Sequence, residues 1–293
     1  MSPLRLLIIV GVVALIILGL EVMTNSMSVS KPVTTSSYNT NSTQTTKFMT
    51  PLAFFLRNSG QQYTDNLLVF AKNLKSGDYL FIYGKPSEDL TVLHKVEQAK
   101  PMFNSGVNVN SAIFYYKIGD LVDNVPKLPS GVDFIIYDYE RGTNYSPEFT
   151  TNESTSLGYF DQAKAAITQY NRNSGSNARF MVTPPYGELQ AAHWNWGLAV
   201  KHMDAVDIQV QAFLQHPDTM KNYVSDVVGQ ITQESPSTKI FIQLSLVQQR
   251  GTIQDNLNAI NMLYRLPIDG FLIFYHPSQT SDLEQFFNQI PNR

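Results

Sequence analysis

The sequence predicts an α/β protein whose main domain is a (β/α)8 barrel. Eight short runs rich in β-branched and aromatic residues recur from Phe48 onwards, and amphipathic helical stretches separate most of them. This alternation extends over about 245 residues, the length and order of a (β/α)8 barrel. The runs are almost continuously apolar, as expected for parallel strands covered by helices. A doubly wound open sheet is the alternative, but it predicts an early glycine-rich phosphate loop, and the sequence has none.

The eight predicted strands are separated by turn or helix signals. Pro51 stands inside the first, where a proline is unusual. Thr64 is the predicted N-cap of the first helix, and Gly175 is the predicted end of a long helix after the fourth strand. The predicted strands are residues 48–56, 79–84, 111–118, 132–140, 178–184, 206–213, 239–246 and 269–276.

Residues 1–23 are typical of a membrane anchor or a secretory signal. One basic residue, Arg5, precedes an uninterrupted apolar run from Leu6 to Leu20. A helix over that run would span about 22 Å, slightly short of a bilayer core. No A-x-A-like cleavage site follows, which favours an uncleaved anchor over a cleaved signal. With Arg5 on the cytoplasmic side, we expect a single-pass cell-membrane protein with its barrel extracellular, or a secreted protein if the segment is cleaved.

Residues 24–47 are rich in Ser, Thr and Asn and contain few apolar residues, so they are predicted to form a disordered linker. Residues 48–293 are then the barrel domain. Asn41, Asn144 and Asn152 each begin an N-x-Ser/Thr sequon, which is compatible with an exported glycoprotein.

Charge and composition exclude several function classes. A net charge of -3 with a pI near 5.9 gives no electrostatic footprint for nucleic acid. The chain has no cysteine, which excludes disulfides, thiolate metal sites and a cysteine nucleophile. Its five histidines show no i, i+4 or HExxH spacing. We therefore expect no metal and no cofactor.

Asp138 and Glu140 end the fourth predicted strand, GVDFIIYDYERG. An ionised carboxylate is costly to bury unless it is paired or has a task. Strand alternation places both side chains on one face, and polar residues at the carboxyl ends of barrel strands build active sites. The structural alternative is a salt bridge at the rim with Arg141 or a nearby lysine.

The segment VDFIIYDYE resembles the fourth-strand signature D-x-x-D-x-D-x-E of the family 18 glycoside hydrolases, the chitinases and endo-β-N-acetylglucosaminidases. Asp133, Asp138, Tyr139 and Glu140 match its first Asp, last Asp, aromatic residue and acid, whereas Ile136 stands where the family has its middle Asp. The resemblance is specific over about nine residues, which makes this chain a divergent relative at most, and it implies a (β/α)8 barrel.

The resemblance implies substrate-assisted catalysis, in which the substrate's own N-acetyl oxygen attacks. Glu140 would be the acid, and Asp138 would orient the acetamido group and balance the developing positive charge. Two departures weaken this expectation. Ile136 removes the middle Asp, and Phe213 replaces a family Tyr if VQAF is aligned with the sixth-strand V-Q-F-Y; each change could cost roughly a hundredfold in rate.

The expected partner is an oligosaccharide or polysaccharide, and five residues are predicted to contact it. Two are amides on the sixth strand, and three are aromatic residues that can stack on sugar rings: Gln209, Gln211, Tyr186, Tyr275 and Trp194. Helix packing is an equally good explanation for Trp194. On the eighth strand, Phe274 or Tyr275 stands where the family usually has Trp.

Three functions remain open on the sequence alone. The leading one is an extracellular, membrane-tethered glycoside hydrolase acting on N-acetylated glycans. The second is a catalytically inactive carbohydrate-binding or cell-surface barrel, which the missing Asp and Tyr favour. The third is a conventional glycosidase in which Glu140 works with Glu88 or Glu188 as its second carboxylate.

Overall fold

The computed structural model shows a closed barrel of eight parallel strands in the order β1 to β8, with β8 pairing back to β1. The predicted anchor, residues 1–23, and the predicted linker, residues 24–47, lie outside the part of the chain that the structure describes. Within that part, no helix is long and apolar enough to cross a membrane. The described residues are 50–60, 62–142, 145–247 and 250–290.

All eight predicted strands are present, which confirms the barrel, but several bounds differ. β1 begins after Pro51, because proline has no N–H for the ladder, and its predicted start, Phe48, lies outside the described residues. β4 and β6 end at Tyr137 and Gln209, earlier than predicted, because the chain turns there to build the barrel mouth. The strands are β1 (Leu52–Arg57), β2 (Tyr79–Gly84), β3 (Asn108–Tyr115), β4 (Phe134–Tyr137), β5 (Arg179–Val182), β6 (Ala205–Gln209), β7 (Lys239–Ser245) and β8 (Gly270–Phe274).

Each strand is followed by at least one helix on the outside of the barrel. The predicted N-cap Thr64 lies inside the first turn of α1, which begins one residue earlier. The long α4 is capped by Asn152, which accepts a hydrogen bond from the N–H of Thr155, and ends at Gly175 in the left-handed conformation (φ 66°). The helices are α1 (Tyr63–Asn73), α2 (Asp89–Ala99), α3 (Ile118–Asn124), α4 (Glu153–Ser174), α5 (Tyr186–Ala191), α6 (Trp196–Ala199), α7 (Pro217–Glu234), α8 (Ile253–Leu263) and α9 (Thr280–Gln289).

The core has two layers, which follow from strand alternation. One layer lies between the strands and the helices and contains most of the buried aliphatic side chains. The other fills the barrel interior and is rich in aromatic rings, including Phe81, Phe134 and Phe241. The rings of Phe134 and Phe241 lie 5.1 and 5.8 Å from Phe81 at nearly right angles. The interior is thus packed, and the site must lie above it.

Four aspartates clamp the amino-terminal end of the barrel. Each immediately precedes an even-numbered strand, and its carboxylate accepts a hydrogen bond from a backbone N–H of the odd-numbered strand before it. The four bonds are Leu52 to Asp78 (2.8 Å), Ser111 to Asp133 (2.8 Å), Phe180 to Asp204 (2.9 Å) and Ile240 to Asp269 (2.9 Å). The first Asp of the family signature, Asp133, is therefore a structural residue here.

We expect Asp133→Ala to lower the free energy of unfolding by about 2 kcal/mol, because charge-assisted hydrogen bonds to Ser111 are lost and a backbone N–H loses its side-chain acceptor. Asp133→Asn retains an acceptor oxygen and should lose less. Urea unfolding followed by circular dichroism measures both, with exposed Asp123→Ala as the control. Equal stabilities for the Asp133→Ala variant and the wild type would contradict this role.

Candidate functional site

A cavity of about 400 Å³ opens at the carboxyl-terminal end of the barrel. Asp138 and Glu140 both line it, and among its described lining residues they are the two carboxylates. Its walls are mainly aromatic side chains and amides, and Arg57, Arg250 and His276 also line it. The aromatic and amide residues include Phe55, Tyr83, Phe114, Tyr116, Tyr145, Gln209, Gln211, Gln243, Phe274 and Tyr275.

The residue between the two acids anchors them. Tyr139 is fully buried on the opposite side of the chain, between the barrel and α4. Its hydroxyl lies 2.7 Å from the Ser156 hydroxyl and accepts a hydrogen bond from the Thr150 N–H at 2.9 Å. Because Tyr139 is held on that side, its neighbours Asp138 and Glu140 face the cavity.

Asp138 is partly buried in the cavity. The Thr183 hydroxyl at the end of β5 donates a hydrogen bond of 2.5 Å to its Oδ1. The pKa of Asp138 is raised from 3.8 to about 7, first by burial and then by the neighbouring charge of Glu140, whereas the hydrogen bond from Thr183 opposes the rise. Asp138 therefore exchanges its proton near neutral pH.

Glu140 is partly exposed to the same cavity. The side-chain amide of Gln209 at the end of β6 donates a hydrogen bond to its Oε1. Neither Glu140 nor Asp138 forms an ion pair with any lysine or arginine in the described ranges, so the rim salt bridge with Arg141 is not formed. The pair is held by neutral donors instead.

Three of the five predicted binding residues lie at the cavity. Gln209 contacts Glu140, and Gln211 is buried in the wall just beyond it. Tyr275 also lines the cavity, with its ring 5.7 Å from Phe70 behind it. Burial raises the pKa of the Tyr275 phenol well above its usual range, so it is a neutral hydroxyl.

Tyr186 and Trp194 do not line this cavity, which corrects the expectation that they stack on sugar. Tyr186 is fully buried in α5, and its hydroxyl donates to the carbonyl of Tyr223 at 3.0 Å. Trp194 is buried as well, and its indole N–H donates to the carbonyl of Thr151 at 3.1 Å. Both rings pack on Trp196, at 5.5 and 6.1 Å. Aromatic residues in a loop that follows a strand can pack against the helices as readily as they can line the barrel mouth.

The two acids considered as the second carboxylate of a conventional glycosidase also lie away from the cavity. Glu88 forms a salt bridge with Arg57, whose Nη2 lies 2.9 Å from Oε2, and Glu188 belongs to α5; neither lines the cavity. Phe213 lies in a turn beyond β6 and packs at 5.7 Å on Tyr223, so it does not occupy the position predicted from the VQAF alignment. Gln211 is the cavity residue after Gln209.

Thr183, Asp207 and the aromatic residues from β2 and β3 were not predicted from the sequence. Tyr83 lies 4.8 Å from Phe114 and under the guanidinium of Arg57. Thr183 carried a usable signal, since it is a polar residue at a strand end. Asp207 carried one too, since it is an acid inside the otherwise apolar start of β6.

A second cavity offers less chemistry. This larger cavity, of about 730 Å³, lies at the amino-terminal end of the barrel, where Lys164, Lys201 and Lys239 pair with Asp204, Glu234 and Asp269. Barrel enzymes place their reactions at the opposite end. Among the described residues, no group of three or more His, Asp or Glu side chains is arranged to hold a metal ion.

No protein-family model and no curated protein matches the chain. Solved structures share its fold. A protein assigned as an α-L-fucosidase from Bacteroides thetaiotaomicron aligns over 88% of this chain and 98% of its own, with 10% identity and a TM-score of 0.54.

Two family 18 structures are similar to a comparable degree. An N-acetylglucosaminidase from Paenibacillus barengoltzii covers 82% of this chain and 99% of its own, with 9% identity and a TM-score of 0.52. The catalytic domain of a chitinase from the fern Peteris ryukyuensis covers 81% and 100%, with 13% identity and a TM-score of 0.52. This chain thus has the barrel fold found in family 18, and the likeness at these identities concerns the fold alone.

Asp138 should make stability depend on pH. Its folded pKa of about 7 lies above the ordinary value of 3.8, so the folded state holds the proton more tightly. Its contribution to stability is therefore full below about pH 4 and is lost as the pH rises through about 7. We expect Asp138→Asn to flatten the fall in the free energy of unfolding between those limits, measured by urea unfolding at several pH values.

Asp123→Asn on the exposed face of α3 is the matched control and should leave the pH profile unchanged. Identical pH profiles for the wild type and the Asp138→Asn variant would show that Asp138 titrates in its ordinary range.

Proposed function

We propose that this protein is a glycoside hydrolase that cleaves N-acetylated glycans, with Glu140 as its general acid. The observation that carries the proposal is the carboxyl-terminal cavity, in which Glu140 and Asp138 stand side by side at the end of one strand. An acid that protonates a glycosidic oxygen must be open to substrate, and Glu140 is partly exposed there. The shared fold with family 18 barrels supports the same assignment.

The placement of Asp138 favours a substrate-assisted route over a conventional one. A conventional retaining enzyme needs a second carboxylate as nucleophile. Asp138 is held by the hydrogen bond that Thr183 donates to its Oδ1, and the described lining residues of the cavity include no third carboxylate that could serve as nucleophile. The acetamido oxygen of the substrate can attack the anomeric carbon instead. The leaving oxygen then takes the proton of Glu140, and Asp138 accepts a hydrogen bond from the acetamido N–H and balances the charge of the cyclic cation.

Hydrolysis of that cation returns the site to its starting state. The Glu140 carboxylate takes a proton from water as the water oxygen bonds to the anomeric carbon, and the acetamido group is restored. Gln209 assists both halves, because its amide holds Oε1 of Glu140 and leaves Oε2 for the substrate. Its N–H also stabilises the carboxylate that forms when the proton leaves.

The cavity wall suits a sugar. Phe274 is 42% exposed at the rim and offers a ring face to the apolar side of a pyranose. Gln211 and Gln243 offer amides deeper in the cavity, and Tyr116 offers a hydroxyl whose pKa is raised to about 12 by burial. These side chains, with Tyr275, are the proposed binding residues.

A second candidate is a carbohydrate-binding barrel without catalysis. One observation favours it: Ile136, where the family signature has its middle Asp, is fully buried and packs in the apolar interior. The two functions differ in a single measurement, since the binding protein has affinity for an N-acetylglucosamine oligomer but no turnover.

Glu140→Gln should reduce hydrolysis of a chromogenic N-acetylglucosamine oligomer by at least about a hundredfold, because only the transferable proton is removed. Binding of the oligomer, measured by calorimetry, should stay within a few-fold of the wild type. Asp138→Asn should reduce the rate by a smaller factor. The matched control is Glu97→Gln on the exposed face of α2, with unchanged rate.

Two further measurements separate the mechanisms. A de-acetylated oligomer should not be cleaved, because it lacks the attacking acetamido oxygen; a conventional two-carboxylate enzyme would cleave it. Glu188→Gln should leave the rate unchanged, since Glu188 does not line the cavity. A wild-type protein that neither cleaves nor binds any N-acetylated glycan would refute both candidate functions.

We propose that the barrel lies outside the cell, held by residues 1–23 and separated from the membrane by residues 24–47. The support is the sequence: Arg5 before the apolar run Leu6–Leu20, and the polar segment after it. Protease added to intact cells should remove the barrel, while a cytoplasmic marker stays intact. Protection of the barrel until the cells are permeabilised would contradict this topology.

A further inference from the structure

The carboxyl-terminal cavity has two chemically different sides. Asp138 and Glu140 follow β4, whereas Arg57 ends β1, Arg250 follows β7 and His276 follows β8. In the closed ring, β8 lies opposite β4, four strands away in either direction. The acids therefore lie on one side of the cavity and the basic side chains on the other. The proposed mechanism uses only the acidic side.

Arg57 is already paired. Its Nη2 donates to both carboxylate oxygens of Glu88, at 3.0 and 2.9 Å, and its guanidinium carbon lies 5.6 Å from the centre of the Tyr83 ring. The charge of Glu88 offsets that of Arg57, and the two contacts hold the guanidinium against the wall. A free cation on this side of the cavity must come from another residue.

Arg250 is that cation. It lies in a turn after β7, where its backbone N–H donates to the carbonyl of Val247 at 2.8 Å. Its side chain is exposed and lines the cavity, and it forms no ion pair with any residue in the described ranges. A guanidinium is always charged and presents five N–H donors in a planar fork, which matches the oxygens of an anion.

His276 adds a donor on the same side. Its Nδ1 accepts a hydrogen bond from the backbone N–H of Ser278 at 3.3 Å, and the Ser278 hydroxyl lies 2.5 Å from the same nitrogen. A ring nitrogen that accepts from an N–H carries no proton, so the neutral ring has its proton on Nε2. The Nε2–H group of His276 is therefore a donor.

The wall on this side offers Arg250 no anionic partner. The two carboxylates among the described lining residues are Asp138 and Glu140, and both follow β4. The other described lining residues after β7 and β8 are uncharged, namely Val247, Phe274, Tyr275 and Pro277. A few polar groups in an otherwise apolar or aromatic wall fix the orientation of a ligand. An unpaired guanidinium in such a wall points to an anionic ligand.

We propose that the glycan carries an anionic group, a carboxylate or a sulfate ester, and that Arg250 and His276 bind it on the side of β7 and β8. The inference rests on the proposed function and names its substrate class, the acidic N-acetylated glycans. Arg250 supplies the charge and parallel N–H donors, and His276 supplies one further donor. Both are specificity residues, since no bond to either is made or broken in the reaction.

The test compares three oligosaccharides by calorimetry, in the Glu140→Gln variant so that none is cleaved. They are an N-acetylglucosamine tetramer, the same tetramer with a sulfate ester, and a tetrasaccharide in which N-acetylglucosamine alternates with glucuronic acid. At least one anionic oligomer should bind about tenfold more tightly than the neutral tetramer, because hydrogen bonds to a charged group are gained. Which anionic oligomer is preferred distinguishes a carboxylate from a sulfate ester.

Arg250→Gln in the same background should lower the affinity for the preferred anionic oligomer about tenfold and leave that for the neutral tetramer unchanged. His276→Ala should lower it by a few-fold, because one neutral donor is lost. Arg250→Lys keeps the charge without the fork and should retain part of the preference. Rising salt should weaken binding of the anionic oligomers only. Arg172→Gln, at an exposed arginine of α4 outside the cavity, is the matched control.

Three results would overturn the inference. Equal affinities for the three oligosaccharides would show that no anionic group is recognised. An equal loss of affinity for neutral and anionic oligomers in Arg250→Gln would show that Arg250 only supports the wall. A preference that survives both Arg250→Gln and His276→Ala would place the anion site elsewhere.

Failure of this inference is distinguishable from failure of the proposed function. A wild-type protein that hydrolyses the neutral oligomer and has no preference for anionic ones would refute the inference alone. A protein that prefers an anionic oligomer but cleaves none of the three would refute hydrolysis, and the inference would then hold for the carbohydrate-binding candidate. A protein that binds none of them would refute both.

Discussion

Closure of eight parallel strands is the constraint on which the rest of this structure depends. Because all strands run the same way, their carboxyl-terminal ends meet at one mouth, and the side chains that follow β4, β5 and β6 become neighbours. For this reason Thr183 contacts Asp138, and Gln209 contacts both Glu140 and the carbonyl of Thr183, although these residues are distant in sequence. The interior beneath them is apolar and largely aromatic. Burial is the first cause of the raised pKa of Asp138, and the charge of Glu140 is the second.

Burying the acids of this site costs free energy on folding. The site gathers Asp138, Glu140 and Asp207 above an apolar interior, and none of them forms an ion pair with a lysine or arginine among the described residues. Burial is the first cause of the raised pKa at both aspartates. A protein whose only requirement was stability would replace such acids with apolar side chains at little cost or with a gain. Neutral donors, Thr183 and Gln209, restrain the acids without cancelling their charges. This combination is typical of sites whose protonation matters.

Much of the fold was predictable, because strand and helix periodicities are local properties of the sequence. The acids of the site were predictable for the same reason: Asp138 and Glu140 break an apolar run at its end. Tyr186 and Trp194 were not, because an aromatic residue after a strand can face either the mouth or the helix layer, and only packing on Trp196 decides between them. Asp207 carried a local signal, an acid inside an apolar strand, but no local pattern encodes which strands become its neighbours. The VQAF alignment failed because β6 ends at Gln209, so that Phe213 lies beyond the mouth.

The four aspartates at the amino-terminal end divide the barrel into quarters. Within each quarter, an odd strand and the even strand after it are joined by the backbone ladder and by a side-chain bond from Asp78, Asp133, Asp204 or Asp269. From one quarter to the next, the corresponding join uses main-chain groups, as where the carbonyl of Asp133 accepts from the N–H of Arg179. The barrel is therefore built from four βαβ units, and in each unit an aspartate side chain adds a hydrogen bond between the two strands. We therefore expect insertions or new chain termini to disturb closure of the barrel least in the segments that link one unit to the next.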